Sequence, residues 1–353
     1  MSSWTDTAAT RALGIRVPIV LGSFGGVSSV ALAAAVSNGG GLGTYGLYGY
    51  GRERILDTAR EIAAATERPV ALNLWLPHDG DHDVHPTQAE YDGYVGALSE
   101  YFDELGLALP ERPKHYLPSF EEQFDAVLQA RPAVVSFAFG VPSPDVIGRA
   151  RERGIITMAS ATTVAEAVAL EQGGIDVVVA SGMEAGGHRV SFLAPPEHSL
   201  VGTLALVPQV VDAVGVPVVA AGGIADGRGV AAAMVLGAGA VQVGSAFLAT
   251  DQSAASPGYR EALRGPGSSS TVLTRAPSGR LARAIPNRLA RETRIAPFPV
   301  QNWITGKFRA VAAERDQTEL MSLWAGQGSP LITERDAAAL LRRLIADATE
   351  LLP

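Results

Sequence analysis

The chain has 353 residues, 47% hydrophobic and 18% charged, with a formal net charge of −8. So much apolar sequence with so little charge folds around a large core, and no uninterrupted apolar run is long enough to span a bilayer. The acidic balance, without a basic stripe, excludes an ordinary nucleic-acid binder, and the absence of Cys removes disulfides, thiolate metal sites, iron–sulfur clusters and cysteine nucleophiles together.

Any redox chemistry must therefore come from a bound cofactor. The first residues, MSSWTDTAATRALGIRVPIV, lack a charged region followed by a long apolar stretch and a cleavage site, so no signal peptide is expected and the chain reads as a cytoplasmic enzyme.

In chain order, runs rich in apolar and β-branched residues at 17–21, 41–45, 70–74, 133–137, 155–159, 175–180, 217–221 and 240–244 predict eight strands. Between them the spacing predicts helices over 28–37, 52–65, 119–129, 144–153, 164–172, 204–214 and 229–236. Several are followed by glycine (Gly39, Gly154, Gly173, Gly237), the residue that most easily takes a left-handed cap. Most of the strand runs are continuously apolar rather than alternating, as in parallel strands covered by helices on both faces. Eight βα repeats fit an α/β fold of the TIM (β/α)8 barrel type over residues 12–251 better than an open doubly wound sheet. Two stretches break the rhythm. Residues 77–118 exceed a usual βα loop and are expected to build part of the barrel mouth, and residues 252–353 are expected to form a largely helical C-terminal cap.

The site of such a barrel lies at the C-terminal ends of its strands. Gly222 and Gly223 follow the seventh strand and Gly244 with Ser245 closes the eighth. Backbone N–H groups of these two loops often hold a phosphate, although glycines also simply end strands. The GxGxxG match at Gly41, Gly43 and Gly46 follows a helix and contains a strand, the wrong context for a dinucleotide fingerprint. His78, His82 and His85 among Asp79, Asp81 and Asp83 read as a solvated loop, since no regular spacing fixes a ligand geometry, and no metal is expected.

SGMEAGGH at 181–188 is different. It directly follows the sixth strand and puts Glu184 and His188 in a Gly-rich segment at the mouth. There an imidazole can approach a planar cofactor as a proton acceptor or a positive charge; a plain surface His is the alternative. Asn73, inside the apolar third strand, offers an amide to the polar edge of a ring system or is a core amide satisfied by backbone.

Together with PIVLGSFGGVSS (18–29), ALNLWLP (71–77), AAGGI (220–224), QVGSAFL (242–248), PFPVQNWIT (297–305) and LWAGQG (323–328), these motifs resemble the nitronate monooxygenases, formerly 2-nitropropane dioxygenases. EAGGH after the sixth strand is the most specific of them. The resemblance implies an FMN-binding TIM barrel with an additional helical domain. It implies FMN contacts from Asn73, Ser181, Gly186, Gly223, Gln242, Val243, Gly244 and Ser245, with Gly222 in the phosphate loop and Ser23 and Phe24 against the ring system. His188 matches the family's active-site histidine. The implied reaction oxidises an alkyl nitronate with O2 to a carbonyl product and nitrite, without NAD(P)H.

Two departures stand out. Family members commonly carry Gln where this chain has Ser181, and many carry His in the strand-four motif where it has Ala138. These keep open an FMN-dependent NAD(P)H enoyl-thioester reductase, or a flavin-binding protein without this catalysis. Trp303 and Lys307 lie in the family's C-terminal active-site segment and are candidates for substrate contact, with surface placement of Lys307 the alternative. The expected partners are a small-molecule substrate and O2, with no nucleic acid or membrane and a homodimer as the candidate assembly.

Overall fold

A computed structural model describes residues 4–78 and 84–352. Eight parallel strands form the central sheet: β1 (Ile19–Leu21), β2 (Gly43–Gly46), β3 (Val70–Trp75), β4 (Val134–Ala138), β5 (Ile156–Ala161), β6 (Val177–Ser181), β7 (Val218–Ala221) and β8 (Ala240–Val243). Each falls on one of the eight apolar runs. Their spatial order follows the chain from β2 to β8, β8 pairs with β1, and a parallel bridge between Val20 and Leu42 returns β1 to the β2 edge. The sheet is a (β/α)8 barrel.

Inward-facing side chains change character along the barrel axis. Toward the N-terminal end they are apolar, with Val20, Leu42, Ala71, Val134, Met158, Val177 and Val219 in one buried cluster. The helix Ala8–Leu13 plugs this end: Ala9 and Leu13 belong to the same cluster, and Thr7 Oγ1 donates to the carbonyl of Gly239 just before β8. Two residues beyond Ala71, Val134, Met158, Val179 and Ala240 of this cluster, on the same inward face, stand Asn73, Ser136, Ser160, Ser181 and Gln242, all lining a cavity. One end of the barrel is therefore sealed with hydrocarbon and the other is open and polar.

The predicted helices are present, with ends shifted by at most two residues. Gly154 and Gly237 take the expected positive φ; after the helices ending at Asn38 and Gln172 the left-handed residue is instead Gly40 or Gly174, one position later. The GxGxxG glycines serve packing. β2 occupies Gly43–Gly46, and a Cβ on Gly43 would run into the carbonyl of Ala33 in the neighbouring helix.

The C-terminal segment departs from a purely helical cap. It contributes the helices Pro257–Arg264 and Val300–Glu314, but also two strands, Val272–Thr274 and Ala282–Ala284, which form a small antiparallel sheet with Gly187–His188. The last helix, Ala337–Leu351, packs on the barrel wall: Leu341 lies against Gly39, and Asp347 and Ala348 lie against Gly227. Since the helix directly after β8 is the short Ser245–Leu248, the chain's final helix covers the space that a full eighth barrel helix would fill. The insertion at 77–118 carries the helices Gln88–Ala97 and Ser99–Leu105. Its described residues line no part of the cavity. Instead it buttresses the helix Val300–Glu314, with the Tyr101 ring stacked on Phe308 at 5.0 Å and Phe102 edge-on to the same ring at 5.4 Å.

Candidate active site

A cavity of about 520 Å3 opens at the C-terminal end of the barrel. Ser23, Phe24, Asn73, Ser181, Gly186 and His188 line it, as do Gly222, Gly223, Gln242, Gly244 and Ser245, so nearly every residue singled out from the sequence meets in one place. Val243, expected among the cofactor contacts, does not line the cavity. It is one position out of phase with Gln242 and its side chain is fully buried in the layer between barrel and helices.

His188 does not ride on a flexible loop. Gly187–His188 pairs with Ala282–Ala284, and Arg189 N donates to Leu281 O at 2.8 Å, so a strand contributed by the cap fixes the histidine backbone. Its Nε2 lies 2.8 Å from Ser278 Oγ. The Ser278 hydroxyl itself donates to the carbonyl of Arg280 (3.3 Å), an arrangement that assigns the imidazole proton to Nε2. Nδ1 then keeps its lone pair and has no protein partner among the described residues. The ring stands against Trp75 (centroids 5.0 Å, edge-on) and Trp324 (5.1 Å). Burial, with Arg280 and Arg309 nearby, pushes its pKa down to about 3. At neutral pH the imidazole is uncharged, a proton acceptor and not the positive charge that the sequence also allowed.

The wall around His188 is aromatic. Phe139 packs on Trp75 at 4.7 Å, and the Arg280 guanidinium lies over Phe139 at 4.0 Å and over Phe298 at 4.1 Å. Phe139 holds a φ of +71°, a strained conformation for a bulky residue that persists because these neighbours fix it from several sides. Ala138, just before it, lines the cavity with a methyl group where a larger side chain would narrow the space.

Glu184 has a structural task. Its carboxylate accepts hydrogen bonds from Thr203 N (3.0 and 2.9 Å) and Thr203 Oγ1 (2.8 Å), holding the start of the helix Thr203–Ala213. Its backbone carbonyl accepts from Gln327 N at 2.9 Å, and Gly326 N donates to Ser245 Oγ at 2.8 Å. The segment LWAGQG thus closes over the loops after β6 and β8. Backbone meets backbone there: a Cβ on Gly186 would stand 2.5 Å from Gly326 N and 2.6 Å from Ala325 C.

Asn73 and Gln242 face the cavity with one end of each amide committed. Asn73 Nδ2 donates to Ser136 Oγ (2.9 Å) and Gln242 Nε2 to Leu21 O (3.2 Å). Their carbonyl oxygens have no protein partner among the described residues. Trp303 and Lys307 are elsewhere. They line a separate groove with Phe102, Leu107 and Pro110, the Lys307 ammonium 3.7 Å above the Trp303 ring. The helix carrying them turns a different face, Asn302, Gly306, Arg309 and Ala310, to the cavity. Spacings of three and four residues could have marked that face, but sequence alone does not say which face looks inward. Of His78, His82 and His85, the middle residue lies outside the described residues with Asp79, Asp81 and Asp83; no metal-binding cluster occurs among the described residues.

With this geometry in view, a family model for nitronate monooxygenase matches residues 6–347. The chain belongs to the nitronate monooxygenase family. It is similar to a nitronate monooxygenase of Pseudomonas aeruginosa (41% identity, covering 96% of this chain and 98% of the relative). It is also similar to a probable nitronate monooxygenase of Staphylococcus aureus (37%, 99% of both). Among solved structures it resembles a nitroalkane oxidase from Streptomyces ansochromogenes, with a TM-score of 0.88 and 36% identity over 98% of both chains. FabK from Thermotoga maritima follows with a TM-score of 0.77 and 28% identity, over 98% of this chain and 97% of that one. Members of the nitronate monooxygenase family are oxidoreductases, and this chain is an enzyme of that class. No helix among its described residues is long and apolar enough to cross a membrane.

Proposed function

We propose that the protein oxidises an alkyl nitronate, or a related stabilised carbanion, with O2 and releases a carbonyl product and nitrite, using FMN held in the cavity. The observation that carries this reading is a nitronate monooxygenase barrel whose open end gathers a neutral His188, an aromatic wall and polar amides around about 520 Å3.

The residues present fit FMN. The orphaned carbonyl oxygens of Asn73 and Gln242 are acceptors suited to the N–H edge of a ring system. Gly222, Gly223, Gly244 and Ser245 present close-set backbone suited to a phosphate. Ser23 and Phe24 would flank the rings, and Ser181 offers only a short hydroxyl, so a water would complete any hydrogen bond that a longer side chain makes. When bound, FMN supplies the electron acceptor for the substrate and the centre that reacts with O2.

The protein's own part is positioning and proton control. A nitronate is already deprotonated at carbon, so no strong base is needed and a neutral His188 is no handicap. The Trp75 and Trp324 rings pack against its imidazole and fix its orientation. A neutral nitroalkane must first lose a C–H proton, and Nδ1 of His188 is the acceptor available for it.

The test is nitrite release from ethyl nitronate in air by the flavin-loaded protein without NAD(P)H. The likeness to FabK favours one competing reading, an NAD(P)H-dependent enoyl-thioester reductase. That reading requires flavin reduction by NAD(P)H and no nitrite.

A further inference from the structure

The chain carries 36 Asp and Glu residues, yet none of the described residues lining the cavity is acidic. Arg309 is the one formally charged side chain among them. Its partners are neutral oxygens: Nε donates to Thr305 Oγ1 (3.2 Å), one terminal nitrogen to Ser322 Oγ (2.6 Å) and the other to Asn302 Oδ1 (2.6 Å). Asn302 is held in turn, its Nδ2 donating to Tyr48 OH at 2.8 Å. The nitrogen that meets Asn302 Oδ1 also donates to Asn302 O (3.4 Å), so of the five guanidinium N–H donors the scaffold leaves uncommitted the second N–H of the nitrogen bonded to Ser322.

Burial draws the Arg309 pKa down to about 10, and no carboxylate offsets its charge. A desolvated cation without a counter-ion is costly to maintain unless an anion arrives to meet it. The same helix face offers Gly306, Ala310 and Ala313, side chains small enough to leave the approach open. Arg309 is also close enough to His188 for its charge to bear on the imidazole.

We propose that Arg309 is an oxyanion-binding residue of this site, donating a charge-assisted hydrogen bond from its uncommitted N–H to an oxygen of the planar, charged nitronate group. The inference deepens the nitronate-oxidation reading and rests on it for the identity of the anion. A guanidinium N–H donating to an anionic oxygen is among the stronger hydrogen bonds.

The cofactor's phosphate is the other anion that could meet Arg309, and the experiment separates the two. Wild-type protein, Arg309→Gln and Arg309→Lys are purified with FMN, and bound flavin is quantified from the absorption spectrum. KM for ethyl nitronate is then measured, together with the dissociation constant of nitrate, a planar oxyanion that this chemistry does not oxidise, from the change in the flavin spectrum. The expected result is full flavin content in both variants, with KM and the nitrate constant raised about ten- to a hundredfold in Arg309→Gln. Arg309→Lys should fall in between, and it carries the test alone if Arg309→Gln does not fold. Constants within twofold of wild type overturn the proposal, as does loss of flavin from the variants, which would give Arg309 to the cofactor phosphate. Should wild type bind nitrate in an Arg309-dependent way yet fail to oxidise ethyl nitronate, the oxidation reading falls and the oxyanion site stands.

Discussion

The Nε2 of His188 and the hydroxyl of Ser278 meet at 2.8 Å although 90 positions separate them in the chain. The contact ties His188, the one histidine on the cavity wall among the described residues, to the cap, and it decides which ring nitrogen holds the proton. In Ser278→Ala the imidazole loses the acceptor that keeps Nε2 protonated. A neutral hydrogen bond of about 0.5–1.5 kcal/mol corresponds to roughly a three- to tenfold effect. That loss should appear in kcat/KM for nitroethane, whose proton must be removed, and stay within about twofold for ethyl nitronate. Steady-state nitrite assays with both substrates check it; equal losses would mean that Ser278 acts only on folding or on flavin binding.

The low pKa of His188 has a consequence for stability. The imidazole titrates at about 3 in the folded protein against an ordinary value of 6.5. Between these values the unfolded chain binds a proton that the folded one refuses, so the folded state loses stability as pH falls through this window. Relative to His188→Gln, the wild type should lose about 2 kcal/mol between pH 7 and pH 5 in urea unfolding of the flavin-free protein. A parallel pH dependence in both proteins would contradict a neutral, buried imidazole.

Glu184 separates architecture from chemistry. Its carboxylate serves Thr203 and takes no place on the cavity wall. Glu184→Ala should cost about 1–2 kcal/mol of stability, as loss of a helix cap does, while nitronate turnover per bound flavin stays within about twofold. Thermal unfolding together with turnover normalised to flavin absorbance measures both; a large loss of normalised turnover would place Glu184 in the catalytic machinery.

Gly186 tests the closure of the C-terminal segment over the barrel. With Gly326 N 2.5 Å from the position of its Cβ, Gly186→Ala must push the LWAGQG segment away from the loop after β6. Overpacking of this kind costs about 1–3 kcal/mol, and here the displacement falls where Gly326 N meets Ser245 Oγ. Flavin content of the purified variant should drop while the far-ultraviolet circular dichroism stays native. Undiminished flavin content would show that the closure does not support the cofactor site.

Much of this was readable from residue pattern because barrel strands are local objects. β3, β4 and β6 are short apolar runs buried on both faces, and the polar residues Asn73 and Ser181 interrupt or end them where the cavity begins. What escaped depends on distant partners. The dipeptide Gly187–His188 reads as loop until a strand near residue 282 is brought beside it. Ser278 carries no motif. Arg309 sits on a helix whose other face holds Trp303 and Lys307, and only packing against the insertion decides which face meets the cavity. The final helix completes the barrel wall for the same reason: its apolar face matched a gap that the sequence does not display.

Nitronate oxidation by this protein is decided by anaerobic mixing of the flavin-loaded protein with ethyl nitronate on one side and NADPH on the other, followed by admission of air. The nitronate should change the flavin spectrum within turnover time, NADPH should not, and nitrite should appear once oxygen enters. Rapid bleaching by NADPH, with no spectral change and no nitrite from the nitronate, would contradict nitronate oxidation.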